Sequence, residues 1–284
     1  MLLTFLLLIL DKILYLIDKI KMYRYFFKYI IINNRIFGNY IISYISYINP
    51  KYIFFFKFKD LIYEYPLPII IATIIKEGDI VVDIGANRGQ YTIFLSKLVG
   101  QKGKVYAFEP DPRNFLILKH RTKKLKNVII ERKAVGNKNS KVKFYLDKFL
   151  SMSTIYKGTT TSPIACLEID MVSLDEYFFG FKRDIALVKM DVQGSEPLVL
   201  DGMKELIKKV KLLILELWPY GLKVAGFEPS DIINRLIVND FKIIYIDEDF
   251  NVITRNIEEH VNIDHNNIYY YINVIGINKN YLKL

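Results

Sequence analysis

The sequence predicts an α/β fold: a mostly parallel sheet with helices on both faces, preceded by a separate N-terminal extension. Three observations carry this. From residue 80 onward, short β-branched runs alternate with stretches of helical periodicity, the pattern of strand–helix–strand units. The first such run, Ile80-Val-Val-Asp-Ile84, leads into a glycine-bearing turn and then a helix. Acids stand at the ends of several runs, and ligands of open α/β sheets bind outside the carboxyl ends of the strands.

Each element follows in order. Residues 69–75 read as a short helix and Lys76-Glu77-Gly78-Asp79 as a turn. Strands are expected at 80–84, 104–109 and 127–133, with helices at 91–98 and 115–125 between them. An insert follows: 141–147 and 166–172 alternate like strands, and the Ser/Thr-rich stretch 151–163 is expected to loop over the site. Ser173-Leu-Asp-Glu176 is a capping box opening a short helix. A fourth core strand at 186–190 precedes a helix at 196–209, with Pro197 tolerated in its first turn and Ser195 as its cap. Strands at 211–217, 241–246 and 269–275 and a helix at 229–238 complete the pattern.

Composition bounds the class. The chain has 284 residues, 52% hydrophobic and 25% charged, which supports a buried core and excludes a disordered chain. A single cysteine, Cys166, rules out an intrachain disulfide and a cysteine-built zinc cluster, and fits a reducing compartment. The formal net charge of +10 suits anionic partners, but Ile, Lys, Asn and Tyr dominate throughout, and no nucleic-acid-binding motif is present. No nucleic-acid partner is expected.

The extension, residues 1–75, stands apart from the domain at 76–284. Met1 to Leu10 is almost wholly apolar but is cut by Asp11-Lys12, too short for a bilayer span of ~20 residues. No basic stretch precedes it and no small-residue cleavage site follows, so a signal peptide is not expected. Asp11, Lys12, Asp18 and Lys19 share one helical face, and Leu6, Leu7, Leu10, Leu14 and Ile17 lie largely on the other. Residues 1–34 read either as a helix packing on the domain or a partner subunit, or as a basic amphipathic helix lying peripherally on the inner face of a membrane. A cytoplasmic location is expected.

The chemistry is concentrated in two clusters. In Asp83-Ile-Gly85-Ala86-Asn87-Arg-Gly89-Gln-Tyr91, the glycines allow left-handed angles and close approach to a ligand. The dinucleotide fingerprint is G-x-G-x-x-G; here Gly85-x-Asn87-x-Gly89 closes one residue sooner. Asp83 would repel a pyrophosphate but favours the ammonium and sulfonium of S-adenosylmethionine. A nicotinamide-dependent oxidoreductase is therefore disfavoured. Glu109, at the end of the second core strand before Pro110, can accept ribose hydroxyls or cap the turn at Asp111-Pro112. Lys189-Met-Asp191-Val-Gln193-Gly-Ser195-Glu196 is the second cluster. Asp191 is the best-placed base for a hydroxyl; Glu196 and Glu216 are the alternatives, with ordinary roles at a helix start and a strand end equally open. Lys189 shares a strand face with Asp191. Asp191 and Glu216 also resemble two ligands of a divalent metal, but a third is lacking and no metal is expected. His120 reads as a solvated helical residue, and His260 and His265 as loop histidines. Trp218-Pro-Tyr-Gly221 reads as packing or as an acceptor pocket wall.

These motifs, with Phe108-Glu-Pro110, Ala134-Val-Gly136, Ser173-Leu-Asp175 and Leu200-Asp-Gly202 in the same order, resemble the FkbM family of S-adenosylmethionine-dependent methyltransferases over roughly residues 75–250. The resemblance implies a Rossmann-like class I methyltransferase fold, with a seven-stranded sheet whose last strand is antiparallel, and O-methylation of a sugar, glycolipid or other small-molecule hydroxyl. It implies that Asp83, Gly85, Ala86, Asn87, Gly89 and Tyr91 surround the methionine part of S-adenosylmethionine. Glu109 would take the ribose and the turn at Ala134-Val135 would lie near the adenine, with Pro110 and Asp191 as further cofactor-binding residues. One departure is visible: the family often carries an acid where Gln193 stands. The competing class is a non-catalytic, membrane-associated binding protein that retains the fold.

Overall fold

The structure, a computed structural model, describes residues 67–160, 162–246, 252–253 and 270–281. The expected helix within 1–34, and His260 and His265, lie outside the described residues. The chain divides into two compact units, Met1–Ile74 and Ile75–Leu284. Of the first, helix α1 (Leu67–Ile74) is described. Among the described residues no helix is long and apolar enough to cross a membrane.

The second unit begins with β1 (Ile80–Ile84), α2 (Gln90–Val99), β2 (Lys104–Phe108), α3 (Pro112–Thr122) and β3 (Val128–Glu131). The insert holds β4 (Ala134–Val135), β5 (Ser140–Asp147) and β6 (Pro163–Val172), followed by α4 (Leu174–Tyr177). Then come β7 (Ile185–Met190), α5 (Glu196–Asp201), β8 (Val210–Leu217), α6 (Pro219–Ala225), α7 (Pro229–Val238), β9 (Phe241–Ile246), β10 (Val252–Ile253) and β11 (Ile272–Asn278).

The main sheet has the order β10-β9-β11-β8-β7-β1-β2-β3. Strands β3, β2, β1, β7 and β8 pair in parallel, and β11 is antiparallel to both β8 and β9. The seven longer strands therefore make the mostly parallel sheet with one reversed strand, and two-residue β10 adds to its edge. Side chains alternate across it. Ile80, Val82 and Ile84 join a core with Leu174, Val199, Leu213 and Leu236. Val81 and Asp83 face the other way, where Leu118 of α3 packs with Ala86 and Ala107. Helices thus cover both faces.

Two expected elements differ. The helix expected at 196–209 stops at Asp201. A Cβ on Gly202 would stand 1.9 Å from the Gly136 carbonyl oxygen, so two backbones meet there. The Asp175 carboxylate then takes the N–H groups of Glu205 and Leu206, and Leu206–Lys209 turns as a 3₁₀ segment. The turn expected at Ala134-Val135 is a short buried strand pairing in parallel with Met171-Val172, because the insert returns β6 alongside it. Ser173 caps α4 through the Glu176 N–H, but its own N–H goes to Asn139 Oδ1, so the box is not reciprocal.

Gly202→Ala is expected to destabilise the domain by about 2 kcal/mol or more, the range for overpacking, read as a lowered urea midpoint.

Candidate active site

Strand register builds the site. Ile84 is level with Phe108 on β2 and Met190 on β7, and Met190 with Leu215 on β8. One residue later, Gly85, Glu109, Asp191 and Glu216 therefore form a row along the carboxyl edge of the sheet. Gly85 sits between Glu109 and Asp191. Its φ is +76°, and a Cβ there would lie 1.9 Å from the Asp191 carbonyl oxygen. Only glycine lets the β1 loop lie this close. Gly85 and Ala86 both donate N–H to the Phe108 carbonyl, and Asn87 takes a positive φ of 49°, closing the turn that starts α2.

Asp83 lies beneath this row, fully buried. Thr92 of α2 donates its hydroxyl to Asp83 Oδ2 at 2.6 Å. Burial raises the carboxyl pKa, while the Lys189 ammonium and the Thr92 bond work against the rise. Lys189 is itself buried. It stands 3.6 Å from Asp191 Oδ2 and 4.7 Å from the centre of the Tyr91 ring.

Of the two roles the sequence left open for Glu109, the turn-capping one is seen in its hydrogen bonds. Its Oε1 accepts the Asp111 N–H at 2.8 Å, which is the turn-capping role, and Oε2 accepts the Asn87 N–H at 2.6 Å, which ties β2 to the β1 loop. Each carboxylate oxygen keeps a second acceptor position. Burial pushes this carboxyl up to about 8, although both backbone bonds favour the charged form.

The turn after β7 is closed differently from the sequence expectation. Ser195 makes no side-chain cap bond. Instead Glu196, at the start of α5, turns back so that Oε1 accepts the Val192 N–H at 3.1 Å. Burial raises this carboxyl to about 7 against those backbone bonds. Gln193 adopts φ 54°, and its amide donates to Asp191 Oδ1 at 2.8 Å. Both Asp191 oxygens thus face donors. The Asp191 charge also acts on Asp83, Glu109 and Glu196, so the four acids lie within one electrostatic neighbourhood.

A cleft enclosing about 600 Å³ of non-atom space, part of it open solvent, lies over the row. Of the expected residues, Gly85, Asn87, Glu109, Pro110, Ala134, Val135 and Asp191 line it. Asp83, Ala86, Gly89, Tyr91 and Glu196 do not line it; they are buried and hold its walls. Glu216 shares the row but stands two strands from β1, roughly 10 Å at ordinary strand spacing, and is not among the lining residues. Trp218 packs its ring against Gly221, away from the cleft. His120 is exposed on α3. The Ser/Thr-rich insert does reach the site, through Ser151, Ser153 and Thr154. Asn114 and Phe144 also line it, and no sequence signal marked them. Among the described residues no three His, Cys, Asp or Glu are grouped as for a metal.

The residues fit S-adenosylmethionine. Two buried acceptors, Asp83 Oδ1 and Asn114 Oδ1, have no hydrogen-bond partner within the protein, and the glycine cradle leaves room against the Asp191 backbone. The charged residues lining the cleft are the acids Glu109 and Asp191, which suit a cationic ligand, and Lys133.

Because the folded-state pKa of Glu109 is raised, the folded chain binds more protons than the unfolded one between about 4.5 and 8. Stability in the absence of ligand should therefore fall as pH rises through that window. Urea midpoints should fall less steeply from pH 5 to pH 8.5 in Glu109→Gln than in the wild type; the buried carboxyls of Glu196 and Asp83, both raised, contribute to the slope that remains.

Comparison with known proteins adds the chemistry. The model of the methyltransferase FkbM domain matches residues 83–243. The hexuronic acid methyltransferase AglP of Haloferax volcanii is 26% identical over 182 residues, 63% of this chain and 70% of that protein. Among solved structures, the methyltransferase FkbM of Methylobacillus flagellatus KT gives a TM-score of 0.44 at 17% identity, over 74% of this chain and 50% of that one. The S-adenosylmethionine-dependent O-methyltransferase of Thermotoga maritima gives 0.41 at 16%, over 75% and 66%. The family match favours an enzyme over a non-catalytic scaffold. On the match across more than half its length, the chain belongs to the FkbM family and is an S-adenosylmethionine-dependent methyltransferase.

Proposed function

We propose that the protein transfers a methyl group to a hydroxyl of a sugar, free or within a glycan or glycolipid, with Asp191 as the base. The observation that carries this is the position of Asp191. It lines the cleft beside Gly85, and its two oxygens face Gln193 and Lys189. The relative named above acts on a hexuronic acid, which supports a sugar as the acceptor class.

Bound S-adenosylmethionine supplies an electrophilic methyl group on a sulfonium. The remaining tasks belong to the chain. Glu109 accepts the ribose hydroxyls on the free lone pairs of its carboxylate. Pro110, Ala134 and Val135 form an apolar wall for the adenine. Asn87 and Gly85 line the floor, with Asp83, Ala86, Gly89 and Tyr91 fixing that floor from behind. Asp191 accepts the proton of the acceptor hydroxyl, and the Gln193 amide and Lys189 ammonium fix the carboxylate for this. A glutamate at 193 would set a second negative charge where the Gln193 amide now donates to Asp191 Oδ1. Glu196 holds the 192–196 turn and Glu216 stands further along the sheet, so both act behind Asp191.

Asp191→Asn should lower turnover by about 10²-fold or more, the scale of a lost general base, while calorimetry with S-adenosylhomocysteine shows nearly unchanged affinity. Turnover equal to wild type removes Asp191 from the chemistry. Radiolabelled methyl transfer into cell-extract fractions should mark glycan or glycolipid; label confined to protein or RNA rejects the sugar acceptor.

A further inference from the structure

The insert crosses the cleft, and one side chain outside the cleft holds it there. Segment 147–155 leaves β5, contributes Leu150, Ser151, Ser153, Thr154 and Ile155 to the lining, and returns so that Thr154 exchanges backbone bonds with Tyr145. On the β2 side it is fastened to the first turn of α3. Arg113 Nη2 lies 2.8 Å from the Asp147 carbonyl oxygen and 3.1 Å from Ser153 Oγ. The guanidinium is held by Asp111, through Nε to Oδ1 at 3.0 Å and Nη2 to Oδ2 at 2.6 Å. Ser153 completes the node by donating to Asp111 Oδ2 at 2.9 Å and accepting the Asp147 N–H. The neighbouring Asn114 donates its amide to the Leu150 carbonyl at 2.9 Å.

On the other side the same segment reaches the Asp191 turn. Thr154 donates its hydroxyl to the Gln193 carbonyl at 3.3 Å. Further along, Gly158 lies against Val224 of α6. The segment therefore spans the carboxyl edge of the sheet from α3 to α6. The node at its α3 end is well built. Asp111 is buried; burial alone would raise its pKa, but the bonds from Arg113 and Ser153 outweigh that and hold the carboxyl below its ordinary range. Bonds to charged groups of this kind are the stronger class. Arg113 itself is not among the lining residues.

We propose that Arg113 is a positioning residue for cofactor binding, latching segment 147–155 across the cleft and so setting how long the methyl donor is retained. This rests on reading the cleft as the donor site. Arg113 acts through the segment: Leu150, Ser153 and Thr154 can face the donor only while their backbone is tied down. Arginine suits the task because one planar fork reaches Asp111 and the segment together, which a lysine ammonium cannot do.

The test uses the full chain, with S-adenosylhomocysteine as probe. Trypsin cleavage after the exposed Lys148, followed by mass spectrometry, reports on the segment, and calorimetry reports affinity. In the wild type the probe should slow the Lys148 cut. Arg113→Ala should speed that cut without ligand and weaken probe binding about tenfold, the scale of losing one charged hydrogen-bond node. Arg113→Lys should fall between, and it carries the test if the alanine variant fails to fold. A folded variant with wild-type affinity overturns the proposal, as does a Lys148 cut that the bound probe leaves unchanged. Gly85→Ala separates the underlying reading: wild-type affinity in that variant places the donor outside this cleft.

Discussion

The site depends on one close approach, that of the Gly85 backbone to the carbonyl of Asp191. The 1.9 Å left for a Cβ means that no side chain can intervene between the first core strand and the strand beside it. Several consequences follow from that contact. The β1 loop lies low enough for its Asn87 N–H to reach Glu109 across the neighbouring strand. Asp191 is set at the rim instead of being pushed outward. Four strand ends share one row, and the cleft opens above it. The positive φ of Gly85 makes glycine necessary on backbone grounds as well.

The second constraint is electrostatic. Asp83, Glu109, Asp191 and Glu196 stand near one another, with Lys189 as the ammonium among them. Burying acids together is costly because each charged form loses water and feels its neighbours. Without ligand the pKa values of Glu109 and Glu196 rise to about 8 and 7, so protonation relieves part of the cost. A cationic ligand in the cleft would relieve it too. Lys189, lying over the Tyr91 ring and beside Asp191, keeps the cluster from being wholly negative.

The insert supplies what the sheet edge lacks. A row of strand ends is open above, and β5, β6 and the intervening segment provide the roof. The node of Asp111, Arg113 and Ser153 and the Thr154–Gln193 bond fasten that roof at opposite sides of the cleft. The floor is thus made by strand register, and the cover by side-chain hydrogen bonds between segments about forty residues apart.

The sequence by itself determined the sheet and its floor. Alternation of β-branched runs with helical periodicity is a local property, so strands such as Ile80–Ile84 and Phe241–Ile246 and the helix Pro229–Val238 are legible to the residue. Glycine and acid positions at strand ends are also local, which is why Gly85, Asn87, Glu109 and Asp191 could be named as lining residues. The tertiary structure alone decided where distant segments meet. The stop of α5 at Asp201 comes from the Gly136 backbone and the Asp175 carboxylate, neither of which is written into residues 196–209. That Glu216 stands apart from the cleft follows from strand order, and that Asn114 and Phe144 line it follows from how the insert folds back. Periodicity records which face of an element is buried; it does not record which other element will cover it.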